Sequence, residues 1–108
     1  MDIREELVRK GFLERVYDPF ENEWVYKLTE KGTEEAKKAI RESEEVRRAL
    51  FYIVMAPALA KLYMGLYTVQ DVVDAVNELR RIMRRAGAKP DRKKFAKWLR
   101  ELHDLEGL

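Results

Sequence analysis

The chain contains no cysteine. That excludes a disulfide framework, a thiolate metal site and a thiol nucleophile. It has one histidine, His103, and one serine, Ser43, which are far apart in the chain. His103 sits near a helix C-terminus beside Asp104, where a lone histidine is a surface or dipole-stabilised residue. Ser43 falls mid-helix on periodicity, with no histidine nearby in sequence. Five glycines are too scattered to form a phosphate-cradling loop. The acids occupy solvent-facing positions without metal-ligand spacing. No catalysis, cofactor or metal is therefore expected.

Two asparagines and one glutamine are also few for 108 residues, of which 39% are charged. Poverty in Asn, Gln and Cys with abundant Lys, Arg and Glu is a hyperthermophile pattern, and a thermophilic, archaeal source is expected. Net charge is only +2, so bulk charge calls for no particular partner. The N-terminus MDIREELVRK lacks the apolar region of a signal peptide, and a cytoplasmic location is expected.

Against these absences stands one long apolar run, Ala49 to Tyr67, with Lys61 as its only charge. It approaches the length of a membrane span, about 20 residues. Lys61, Pro57, Gly65 and three tyrosines argue against membrane insertion. A helix apolar on every side is buried in a core or against another chain. In a chain this small the extra cover suggests a homodimer. The interface residues expected are Leu50, Phe51, Ile53, Val54, Leu59, Leu62, Tyr63 and Leu66. Pro57 predicts a kink or break near Met55–Pro57.

Upstream, Asp2 to Lys10 reads as a short helix ended by Gly11. Phe12–Tyr17 and Glu23–Leu28 read as strands joined by Asp18-Pro19-Phe20-Glu21-Asn22 turn chemistry. Thr29 caps a helix expected to reach about Arg48, its outer face laced with pairs such as Glu34–Lys38, Arg41–Glu45 and Glu44–Arg48. Downstream, Thr68 and Asp71 open a strongly amphipathic helix that ends at Ala86-Gly87-Ala88. Pro90 opens a last helix with Phe95, Trp98, Leu99, Leu102 and Leu105 inward and Gly107 at its end.

The expected fold is mostly α with one β-hairpin, an α+β chain. Residues 1–48 form a helix–hairpin–helix segment and residues 49–108 the apolar hub and two amphipathic helices, together one compact domain.

The stretch Leu7 to Ile40 resembles the second half of a winged-helix domain of the PadR/MarR type. The residues that carry the likeness are Leu7, Lys10-Gly11, Phe12-Leu13, Tyr26, Leu28, Thr29 and Gly32. The resemblance implies a recognition helix ending at Gly11, two wing strands, and a helix leaving the wing. It also implies a DNA-binding transcription regulator. Arg4, Arg9 and Lys10 of the first helix are the DNA contacts it offers. The tip is Asp18, Glu21, Asn22 and Glu23, where DNA-contacting wings carry Arg or Lys, and phosphates would be repelled there. The family's two preceding helices have no counterpart in these residues.

The stronger electrostatic signal lies between residues 80 and 100. Arg80, Arg81, Arg84 and Arg85 oppose the apolar stripe of their helix, and Lys93, Lys94 and Lys97 lie on the next. Clustered cations are the footprint of phosphate-backbone binding. The plainer reading is a solvated face balanced by acids such as Glu44 and Glu45. Double-stranded DNA is the expected partner and an acidic protein the alternative. A rival function is a non-catalytic adaptor that keeps a degenerate wing.

Overall fold

A computed structural model describes residues 2–105. The described residues form five helices and one antiparallel hairpin, so the chain is mostly α with a single two-stranded sheet. It divides into two compact units, Met1–Lys38 and Ala39–Leu108. The boundary falls before the expected one after residue 48.

The first unit opens with α1 (Ile3–Arg9), whose N-terminus is capped by the Asp2 carboxylate accepting from the Arg4 amide. Gly11 then takes φ +84°, the left-handed value that ends a helix cheaply only at glycine. β1 (Leu13–Asp18) and β2 (Glu23–Leu28) pair in register from Leu13↔Leu28 to Asp18↔Glu23. Asp18 accepts from the amides of Phe20 at 2.9 Å and Glu21 at 3.3 Å, which closes the loop as an Asx turn.

α2 (Glu30–Glu42) starts in this unit. Thr29 accepts from the Gly32 amide at 3.0 Å and donates to the Gly11 carbonyl at 2.6 Å, tying helix start to hairpin start. Gly32 is glycine for a steric reason: a Cβ there would lie 1.9 Å from the Phe12 carbonyl oxygen. It is also the only buried residue among those described in this unit. Tyr26 and Leu28, placed inward by strand alternation, are half-buried and 48% exposed respectively.

In the second unit α3 (Glu44–Tyr63) is the common packing partner of α4 (Val69–Arg85) and α5 (Arg92–Leu105). Its residues Phe51, Met55 and Leu59 meet Leu79 and Met83 of α4 and Phe95, Trp98 and Leu102 of α5. Phe51 is the aromatic centre, 5.4 Å from the Phe95 ring and 5.6 Å from Trp98.

Three expectations are corrected here. The helix from Thr29 does not reach Arg48: it ends at Glu42, and Ser43 (φ −122°, ψ 118°) caps α3 by accepting from the Val46 amide. Serine competes for backbone donors and so starts helices better than it continues them. Second, the break allowed for near Met55–Pro57 does not occur: α3 continues as one helix through Pro57. Proline in a helix costs about 3 kcal/mol. Met55 and Leu59 are both buried beside it, and each returns about 1.5–3 kcal/mol on burial. Packing therefore outweighs the lost hydrogen bond, and Pro57 itself sits on the exposed side. Third, Pro90 precedes the last helix rather than opening it. Asp91 is the capping residue, accepting from the amides of Lys93 and Lys94. The Thr68–Asp71 capping box at α4 is present as expected. Gly107 lies outside the described residues.

The unit boundary has a packing reason. Ile40 packs against the second unit's core, and the Arg41 guanidinium donates to the Ala86 carbonyl at 3.0 Å. The last turn of α2 thus belongs with α3, α4 and α5.

Candidate nucleic-acid interface

Helix α4 sorts its residues cleanly. Leu79 and Met83 are fully buried against α3. Asn77, Arg80, Arg81, Arg84 and Arg85 recur at three- and four-residue steps on another flank and line one open, shallow groove. Arg81 pairs with Glu78. Arg80, Arg84 and Arg85 have no acidic partner among the described residues. Like charges at i,i+4, as in Arg80/Arg84 and Arg81/Arg85, cost a few tenths of a kcal/mol per pair. The helix dipole offsets part of this for Arg84 and Arg85, which lie in the last turn. Arg80 gains nothing from the dipole, so the cluster is more than helix-end charge balancing.

The lysines of α5 fare differently. Lys94 is paired with Glu44 at 2.9 Å, and Lys97 approaches Glu101 at 4.0 Å. Lys93 is exposed, and its ammonium forms no salt bridge among the described residues. The Lys94 ammonium holds the Glu44 carboxyl below its ordinary value, chiefly through this hydrogen bond. Lys94 lines a separate hollow, with Arg41, Arg47 and Lys89 at its rim and Met83, Phe95 and Trp98 at its floor. The α4 arginines and Lys94 thus line different hollows.

Arg41 and Arg47 did not figure among the sequence candidates. Arg41 looked like one member of an i,i+4 ladder, but it reaches Ala86 instead. Arg47 donates to the carbonyls of Ile40 at 2.8 Å and Arg41 at 3.0 Å, satisfying the end of α2. Nothing local in sequence marks either role.

The first-helix cations are largely engaged. Arg4 pairs with Asp2 at 3.2 Å and lies over the Tyr26 ring. Lys10 pairs with Glu6 at 3.4 Å, and Arg9 is exposed. The hairpin tip is acidic and open, with Phe20 96% exposed between Asp18 and Glu21.

The expected interface residues divide by face. Phe51 and Leu59 are closed off by α4 and α5 of the same chain and offer nothing to a partner. Leu50, Val54 and Leu62 are half-buried against that core. Ile53, Tyr63 and Leu66 are exposed. The hub is therefore covered on one side by its own chain, not apolar and unmet all round. No helix among the described residues is long and apolar enough to cross a membrane. His103 meets the Tyr63 hydroxyl at 2.8 Å through Nδ1. Among the described residues no three of His, Cys, Asp or Glu form a metal-holding group.

No family model matches this chain, no curated protein matches it, and no solved structure matches it.

Proposed function

We propose that this protein binds double-stranded DNA through the phosphate backbone and acts as a transcription-regulator-like protein. The observation that carries the reading is the open α4 flank, where Arg80, Arg84 and Arg85 stand beside Asn77 with no salt-bridge partner among the described residues. Three uncompensated guanidiniums on one helix flank suit successive phosphates, which guanidinium groups grip in bidentate fashion. Lys93 adds a further exposed cation. In this reading the hairpin is a wing that has lost its DNA contact, because its tip is acidic.

The test is fluorescence anisotropy of a labelled generic duplex, at low salt and near physiological salt. Binding should fall steeply with salt, each neutralised phosphate adding roughly 0.9 to the log–log slope. Changing Arg80, Arg84 and Arg85 to Glu should abolish it. Absence of binding at low salt would overturn the proposal.

One observation favours a second reading. Phe20 at 96% and Trp24 at 60% exposure, flanked by Asp18, Glu21 and Glu23, suit a protein partner better than a phosphate. In that reading the chain is a non-catalytic adaptor. A duplex-binding failure together with loss of partner capture on Phe20→Ala would favour it.

A further inference from the structure

The hollow that Lys94 lines is assembled by tertiary structure alone. Arg41 comes from the last turn of α2, Arg47 from the first turn of α3, Lys89 from the α4–α5 connection and Lys94 from α5. Four cations from four segments thus meet round one space of about 280 Å³. The acids beside them are Asp91 and Glu44. Asp91 is committed to capping α5, accepting from the amides of Lys93 at 3.0 Å and Lys94 at 3.2 Å. Glu44 answers Lys94 at 2.9 Å and acts on Arg47 only through space. Arg41, Arg47 and Lys89 form no salt bridge among the described residues. The two guanidiniums are also held in place. Arg41 Nη1 reaches the Ala86 carbonyl at 3.0 Å by passing Gly87, where a Cβ would lie 3.3 Å from the Arg41 Cδ. Arg47 Nη1 donates to the carbonyls of Ile40 and Arg41. Each tie uses one nitrogen. It leaves out Nε and Nη2, the edge that grips an oxyanion with two parallel hydrogen bonds. Helix-end carbonyls explain where the guanidiniums sit, but a carbonyl dipole does not cancel a full charge.

We propose that this hollow binds a compact oxyanion of the phosphate class. Charge selects the ligand rather than hydrophobic burial. The floor residues Met83, Phe95 and Trp98 are 1%, 9% and 4% exposed, so they offer little apolar surface to a ligand. Size points the same way. The space is below the range of drug-sized sites but several times the share of one water molecule, about 30 Å³. It therefore takes a phosphate and one small substituent. Guanidiniums already fixed by backbone carbonyls lose little freedom on binding, which favours the bound state. The phosphate can be free in solution, as inorganic phosphate or a small monoester, or it can belong to a nucleic-acid backbone. Different residues line the α4 groove, so phosphate binding here does not require DNA binding there.

Titrating the full chain with sodium phosphate, with sodium chloride at equal ionic strength as the reference, tests it by NMR. Phosphate should saturate with a dissociation constant on the order of 1 mM, within reach of so small a ligand. The shifts should gather at the amides of Gly87, Ala88 and Lys89 and at the Nε–H groups of Arg41 and Arg47. Lys89→Glu should raise the dissociation constant at least about ten-fold, since it sets a carboxylate against the anion. Helical circular dichroism should be unchanged, because Lys89 is exposed. Arg41→Lys keeps the charge and should still weaken binding, because an ammonium lacks the two-pronged edge. No saturable response beyond that of chloride would overturn the proposal, as would shifts centred on Arg80, Arg84 and Arg85. Wild-type affinity in Lys89→Glu would overturn it too, and wild-type affinity in Arg41→Lys would overturn the two-pronged grip. A labelled duplex then separates the two sources. Weaker duplex binding by Lys89→Glu identifies a backbone phosphate. Unchanged or absent duplex binding, with phosphate binding lost in that variant, identifies a free small phosphate. Phosphate binding is read without DNA, so its failure and that of the α4 reading are distinguishable.

Discussion

The two units spend their apolar residues in opposite ways. The second, Ala39–Leu108, concentrates them in one cluster built from Phe51, Met55 and Leu59 against α4 and α5. The first, Met1–Lys38, buries no side chain among its described residues and leaves Ile3, Phe20 and Trp24 largely exposed. A segment of its size cannot enclose a core of its own. It is held by short-range polar ties: Thr29 to the Gly11 carbonyl, Tyr26 to Glu5 at 2.7 Å, and Lys31 to the Lys10 carbonyl at 3.0 Å. A hydrogen bond of this kind contributes about 1 kcal/mol net. A buried aromatic contributes several times that. The comparison teaches that one chain can hold its parts together by two different kinds of interaction, and that these fail differently.

The sharpest way to break the contrast is truncation on each side. Phe51→Ala should cost about 3–5 kcal/mol of unfolding free energy in urea, as a large side chain removed from a closed core. Trp24→Ala in the hairpin should cost under about 1 kcal/mol. Equal losses would mean that the hairpin's aromatics are covered in solution.

Gly32→Ala comes next. The added Cβ meets backbone, not a flexible side chain, so the helix start must move away from Phe12. A cost of about 2–3 kcal/mol is expected. It should appear as faster amide exchange in Leu13–Leu28 with exchange in α3 and α5 unchanged. Uniform acceleration across both units would show that they unfold as one.

Ser43→Ala should cost about 1 kcal/mol, the worth of a lost cap. Ser43→Asp should restore it. If Ser43→Ala were neutral, α2 and α3 would be one helix in solution, as the periodicity alone suggests.

The smallest effect is electrostatic. The Lys94 ammonium lowers the Glu44 carboxyl below its ordinary value. A carboxyl lowered on folding stabilises the fold above its unfolded value, and that contribution fades as pH falls through the lower folded one. The pair is exposed, so the change should be slight. Lys94→Met should return Glu44 to the ordinary carboxylate range in an NMR titration and flatten the acid limb of stability at that site.

Much of the local structure was legible in the residues themselves. Gly11, the Asp18 loop, Thr29 and the Thr68–Asp71 box all ended or began elements where expected, because caps and turns depend on atoms a few residues apart. The period of Val72, Val76, Leu79 and Met83 placed the buried side of α4 and therefore its arginine flank. Less legible was the break at Ser43, where a cap interrupts a pattern that reads as continuous. The survival of α3 through Pro57 was hidden too, since the packing that outweighs the proline comes from α4 and α5. The clustering of the α4 arginines on one flank was readable from their spacing. The Arg41–Arg47–Lys94 hollow was not.

Sequence by itself determined the element types, their caps and the apolar face of each amphipathic helix, because those follow from side chains within one or two turns. Tertiary structure decided the partners of the long charged side chains and which side of the hub stayed open. Arg41 reaches Ala86, Arg48 reaches Glu101 at 3.0 Å, and Glu44 reaches Lys94, none of them an i,i+4 neighbour. A long flexible arm sweeps a volume that local spacing does not specify, and only the packing of α3 on α4 and α5 selects the partner within it.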